Sequence, residues 1–238
     1  MDKNDISNHI SQRFNQDLED IRSQVLAMGG KVEKQIDDAL RALRDADGAV
    51  GERVVRADVD VNAMEVDIDE ECTRVLALRQ PAASDLRMVI AVIKTITDLE
   101  RIGDEAEKIA RLAMHLSEVK GPAYRHSNGV QTLGRMAAEM VHKALDSFAR
   151  LDADGAIATA KCDKAIDAEY EALMRQLITY MMEDPRSITS VLDVLWAARS
   201  LERIGDHANN ICEYVVYLVH GKDVRHISAD QIERELQD

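Results

Sequence analysis

Apolar residues recur at steps of three and four along almost the whole chain, which is the period of an amphipathic helix. No stretch alternates as a strand does. The breaks in the pattern are regular. Three prolines occur, Pro81, Pro122 and Pro185, each between two long periodic stretches where a helix stops or restarts. The remaining breaks carry an internal repeat, Asp45-Ala46-Asp47-Gly48-Ala49 and Asp152-Ala153-Asp154-Gly155-Ala156, whose Asp and Gly suit a cap and a turn. This punctuation predicts six helices, roughly 7–46, 48–79, 82–119, 124–152, 154–183 and 186–220. The pair Gly29-Gly30 could divide the first of them.

A second repeat lies late in the third and sixth helices: Leu99-Glu100-Arg101-Ile102-Gly103-Asp104 and Leu201-Glu202-Arg203-Ile204-Gly205-Asp206. Each half therefore reads helix, DADGA turn, helix, proline turn, LERIGD helix. Short connections favour antiparallel neighbours. The predicted fold is all-α, two tandem pseudo-symmetric three-helix bundles, residues 1–120 and 121–238, joined by the linker Lys120-Gly121-Pro122-Ala123. Leu86, Ile90, Ile93 and Thr97 form a stripe that continues into Glu100 and Asp104. Ile188, Leu192, Leu195 and Arg199 form one that continues into Glu202 and Asp206. Read as core stripes, they place two carboxylates four apart on each buried face, which is costly unless the charges are paired or bind metal. A mid-helix Gly costs about 1 kcal/mol relative to Ala. Its presence in both copies points to close approach by another backbone or a ligand.

The middle helix of each half adds acids. Asp58, Asn62, Glu65 and Asp69 share one face beside Val54, Val61, Met64, Ile68 and Cys72. Asp163, Asp167 and Glu171 do the same beside Ile166, Leu173 and Leu177. Packed antiparallel against the LERIGD helices, these oxygens would converge on Mg²⁺, Mn²⁺, Ca²⁺ or iron. Two plainer readings stay open. The middle-helix acids could be a solvated face, and the LERIGD acids could pair with Arg87, Arg101, Arg199 or Arg203. His207 points about 100° away from Asp206 and reads as a surface residue. No Glu-x-x-His pair appears, which argues against a ferritin-like di-iron oxidase.

Composition narrows the field. The net charge of −14 leaves no basic surface for nucleic acid. Aromatics are 3% against 46% hydrophobic residues, as expected for a helical core of Leu, Ile, Val, Ala and Met. No apolar run approaches the roughly 20 residues that span a bilayer, and the N-terminus has no apolar signal segment. Cys72, Cys162 and Cys212 read as ordinary thiols in a reducing compartment. The expectation is a cytoplasmic protein.

Gln80-Pro81-Ala82-Ala83-Ser84-Asp85-Leu86-Arg87, with Asp98 and the first LERIGD string, resembles the PhoU family of phosphate-transport accessory proteins. So do Tyr180-Met181-Met182-Glu183-Asp184-Pro185-Arg186, Arg199-Ser200 with the second string, and Asp223-Val224-Arg225-His226. The resemblance covers nearly the whole chain. It implies two related three-helix bundles, dimers, and metal clusters of divalent or trivalent ions (iron, zinc, magnesium or manganese) held by Glu/Asp-x-x-x-Asp motifs. Those motifs match Glu100/Asp104, Glu202/Asp206, Glu65/Asp69 and Asp163/Asp167, while Asn62 stands where an acid would complete a motif with Asp58. It further implies a negative regulator of the phosphate-starvation response, not an enzyme. Such a regulator links the ATPase of a phosphate ABC transporter to a sensor histidine kinase and reaches the membrane only through these partners. The alternative is a metalloenzyme whose carboxylate-held metals activate water or oxygen. The chain offers no nucleophile–base pair and no Gly-rich phosphate loop for that alternative.

Overall fold

In a computed structural model, which describes residues 3–79, 81, 83–118, 127–225, 227 and 229–237, the helical periodicity becomes eight α-helices with no strand among those residues. They are α1 (Lys3–Asp45), α2 (Gly48–Arg79), α3 (Ala83–Glu118), α4 (Ser127–Arg150), α5 (Ala153–Ala160), α6 (Asp163–Glu183), α7 (Ile188–His220) and α8 (Ala229–Gln237), with a 3₁₀ turn at Pro185–Ser187 before α7. The linker around Pro122, the domain boundary at 120, and His226 lie outside the described residues.

The two DADGA turns cap differently. Asp47 Oδ1 accepts from the Ala49 and Val50 amides at 3.0 and 3.1 Å. In the second copy the first Asp does this work, Asp152 accepting from the Gly155 amide at 2.9 Å. At these two turns the residues with positive φ are Ala46 at 48° and Leu151 at 54°. The glycines lie inside the helices that follow, so their expected role in the turn is corrected. Helix α7 ends as such helices commonly do, with Gly221 left-handed at φ 72° and its amide on Tyr217 O at 2.8 Å. The Gly29-Gly30 pair does not divide α1. A Cβ on Gly29 would come within 2.8 Å of Leu145 Cδ2, so the glycine lets α4 press against an unbroken helix.

Two expectations about the elements are overturned. The fifth helix is two, α5 and α6, separated at Lys161-Cys162, where the Cys162 amide reaches back only to Thr159 O. Neither glycine nor proline marks that break. It re-aims α6 so that Ile166, Leu173 and Leu177 are buried. Helix α8, beyond the last expected helix, buries Ile232 and docks beside α5, with Lys161 Nζ on Glu233 Oε1 at 2.5 Å.

The core lines of α3 and α7 are heptads in matching register. Val89, Val92, Ile96, Leu99, Gly103, Ala106, Ala110 and Ala113 are all buried, as are Val191, Val194, Ala198, Leu201, Gly205, Ala208, Cys212 and Val215. A sustained heptad gives nearly aligned helix packing. The two helices run antiparallel side by side, with Glu105 meeting Arg203 and His115 meeting Asp193. Residues of both halves belong to one contiguous apolar core. The stripes expected to be core are therefore corrected. They lie largely one residue, about 100°, off the heptad lines. Leu86, Ile188, Leu192 and Arg199 are exposed, and Glu100, Asp104 and Glu202 are half-buried on the flank.

Candidate functional site

At Gly103 three helices meet. A Cβ there would sit 3.1 Å from Gln35 Oε1 on α1 and 3.2 Å from Asp58 Oδ1 on α2. Asp58 is buried and accepts from Gln35 Nε2 at 3.2 Å and from Asn62 Nδ2 at 3.1 Å. Burial pushes its carboxyl above the usual range, the Gln35 bond opposes this, and Asp104 and Glu107 push it further up. Glu100 is raised by burial and then by Asp104, Glu65 and Asp58, with Arg101 pulling the other way. Glu65, Glu100 and Asp104 thus share one acidic flank with Asp58. Asp69, a turn further along α2, is exposed. Gln35 Oε1 and Asn62 Oδ1 are buried without hydrogen-bond partners.

The matching place in the second half is built from α6 and α7. A Cβ on Gly205 would lie 3.2 Å from Ile166 Cδ1 and 3.8 Å from Asp163 Oδ1. Asp163, Asp167 and Asp206 each bring a carboxylate oxygen within 4.8 Å of the others. Burial, then Asp167 and Asp206, push Asp163 up to about 6. Asp206 is raised by burial and Asp167, against the pull of His207, Arg199 and Arg203. Glu202 is raised by burial and Asp206. Its Oε1 accepts from Arg199 Nη1 at 2.7 Å, while its Oε2 is buried without a partner. Arg203 turns instead to Glu105 at 2.9 Å. Glu171 is exposed and pairs with Arg175.

The two places differ in one chemical respect. Where Asp58 is held by two amides, Asp163 faces Asp167 at the position of Asn62. An all-oxygen set whose acids repel one another suits Mg²⁺, Ca²⁺, Mn²⁺ or iron, and suits zinc less, which favours nitrogen and sulfur. Such an ion would relieve the repulsion that raises these acids.

Between the halves lies a polar network that the residue pattern did not reveal. Asp98, 2% exposed, accepts from His207 Nδ1 at 2.7 Å, Asn210 Nδ2 at 3.2 Å and Tyr214 Oη at 2.8 Å. His207 is buried at 8% exposure, so its reading as a surface residue is corrected. It faces α3, a partner that no local pattern in α7 could disclose. Burial and Asp98 push the Tyr214 hydroxyl up. Burial likewise pushes the Cys72 thiol up to about 12 and Cys212 higher, which keeps both thiols protonated and inert.

The geometry repeats by halves, and so does the match to known families, because the model of the PhoU domain matches twice, over residues 25–113 and 130–215. The chain belongs to the PhoU family. The phosphate-specific transport system accessory protein PhoU homolog of Pseudomonas aeruginosa is 54% identical over all of this chain and 98% of its own length. PhoU of Escherichia coli K12 is 49% identical over 99% of this chain and 97% of its own. The crystal structure of PhoU from Pseudomonas aeruginosa superposes with a TM-score of 0.85 at 56% identity. It covers 88% of this chain and all of that one. That of the phosphate transport system regulatory protein PhoU from Streptococcus pneumoniae gives 0.81 at 32%, covering 89% and 99%. The doubled PhoU match spans both acidic clusters. No helix among the described residues is long and apolar enough to cross a membrane.

Proposed function

We propose that this chain is a non-enzymatic accessory protein of phosphate-specific transport that restrains the phosphate-starvation response. It does so in the cytoplasm by joining the ATPase of a phosphate ABC transporter to a sensor histidine kinase, and it acts as a homodimer. The observation that carries the reading is near end-to-end similarity, 54% and 49%, to relatives named for that system. The helical surface serves docking, and the acidic clusters serve a bound cation. Asp163, Asp167 and Asp206 would hold the ion with Glu202 beside them, and Asp58, Glu65, Glu100 and Asp104 form the weaker counterpart. The ion would supply positive charge that ties α6 to α7 and allows all three carboxylates to ionise together.

The test is deletion in the source organism with expression of phosphate-starvation genes read at high phosphate. The expected result is expression that stays on, with repression restored by the wild-type gene. Normal repression in a deletion strain lacking any paralogue rejects the reading. Steady turnover of phosphate esters or peroxide by metal-loaded protein, abolished by Asp206→Ala, would favour the enzyme alternative.

A further inference from the structure

An open groove of about 710 Å³ lies between α3 and α7. Its floor is apolar, with Leu112 from α3 and Trp196 from α7. Beyond the groove's own lining, Leu192 and Ile188 stand four and eight residues before Trp196 on α7, and the three are 39%, 41% and 58% exposed. Eight residues of helix span about 12 Å. Trp196 is the only tryptophan of the chain, and so large an apolar ring left in water is an interface anchor in search of a pocket. The rim is cationic, formed by Lys108 and Arg111 on α3 with Arg199 and Arg203 on α7. The one acid in the lining, Glu105, is buried beneath Lys108 and Arg203. Arg111 and Arg199 rest on Glu107 and Glu202 of their own helices. The side chains of all four cations nevertheless remain 46–60% exposed. Each keeps donors in water, and exposed ion pairs exchange cheaply.

This concentration of positive charge occurs on a chain of net charge −14. We propose that the groove docks an acidic amphipathic helix of a partner protein, its apolar face on Ile188, Leu192 and Trp196 and its carboxylates between the two rows of cations. Charge complementarity selects this occupant. A symmetric second copy would set the same cations against themselves. The overall charge repels nucleic acid. A small anion would satisfy the rim and leave the apolar floor in water. The proposal is independent of any bound metal and of the phosphate system.

Trp196 reports on its own occupancy. The probe is a synthetic 18-residue helical peptide with leucines along one face and glutamates flanking them, beside a twin carrying lysine for every glutamate. The acidic peptide is expected to shift the Trp196 emission to the blue and saturate, and the lysine twin to bind at least tenfold more weakly. Lys108→Gln/Arg111→Gln, which leaves Arg203 on Glu105, and Leu192→Asp on the exposed line of α7 should each weaken the acidic peptide at least tenfold with circular dichroism unchanged. Equal binding of the twins, or no shift at millimolar peptide, overturns the proposal. So does displacement of the peptide by equimolar inorganic phosphate, which would indicate a simple anion site. A blue shift that grows with protein concentration alone overturns it in favour of a second copy.

Discussion

Gly103 and Gly205 lie on the buried heptad lines of α3 and α7, where a neighbouring helix comes closest. At Gly103 the space a side chain would need is filled by Gln35 and Asp58, at 3.1 and 3.2 Å from an added Cβ. Leucine there should cost about 1–3 kcal/mol through overpacking, although propensity alone would favour it by roughly 0.8 kcal/mol. Gly30 supplies the control. It is exposed in α1 with nothing within 4 Å of an added Cβ, so Gly30→Ala should gain up to about 1 kcal/mol. Chemical denaturation of the two variants measures both, and a Gly103→Leu protein more stable than wild type would refute the close approach. Asp163 offers a different reading at the same scale. Its carboxyl is raised from an ordinary 3.8 to about 6 in the folded protein, so the folded state holds the proton more tightly than the unfolded chain. The stability this contributes is complete below about pH 4 and is lost as the pH rises through 6. Metal-free Asp163→Asn should therefore melt with the wild type near pH 4 and a few degrees above it beyond pH 6. Glu213, raised to about 7 mainly by burial, feels Asp163 only as the weakest of its causes, so it contributes little to the difference between the two proteins. Coincident melting curves from pH 4 to 8 would mean that Asp163 carries no such strain.

Among the elements, long helices were legible because each keeps a three-four apolar period and most end at proline or at an Asp-rich turn. What the pattern could not reveal was phase. Both Val92 and Ile93, and both Leu195 and Val194, are apolar, so the core line and its flank look alike until a neighbour covers one of them. Only then do Gly103 and Gly205 fall on the buried line and the LERIGD acids beside it. The α5–α6 break has no glycine or proline to announce it. Gln35 escaped notice because it is uncharged and lies 23 residues from the Asp58 it serves. The acids Glu65, Glu100, Asp104, Asp163, Asp167 and Asp206 were legible from spacing and repetition. The difference between the clusters was foreshadowed only by Asn62. That difference is testable on the α6–α7 pair. If an ion ties these helices, saturation at a hundred times its dissociation constant adds about 2.7 kcal/mol, or roughly 5–10 °C for a domain of this size. A chelator should lower the melting temperature of metal-loaded wild type by that amount and leave Asp163→Asn/Asp206→Asn unmoved. Asn62→Asp, which gives α2 the acid that α6 has, should add a second equivalent of Mn²⁺ by calorimetric titration. Chelator-indifferent melting of protein shown to contain metal would retire the ion from its proposed structural role.

At the scale of the whole molecule, the two halves are repeats without being separable bodies. The heptad lines of α3 and α7 belong to one core, and Asp98 of the first half is satisfied by three side chains of the second. Replacing Asp98 by alanine leaves the donors of His207, Asn210 and Tyr214 in the interface without their acceptor, at a cost on the order of 3 kcal/mol. If the halves fold as one unit, that cost falls on both together. The Asp98→Ala protein should then keep a single thermal transition, displaced downward by about 10 °C. The same displacement should appear in the helical circular dichroism of the entire chain and in the emission of Trp196. That residue sits on α7, about two and a half turns before the heptad reaches Gly205, and does not touch the mutated position through any of these bonds. Independent halves would give a different record: two transitions, or a Trp196 midpoint that stays in place while part of the dichroism moves. A substitution in one half reported in full by the fluorophore of the other is the behaviour a shared core requires.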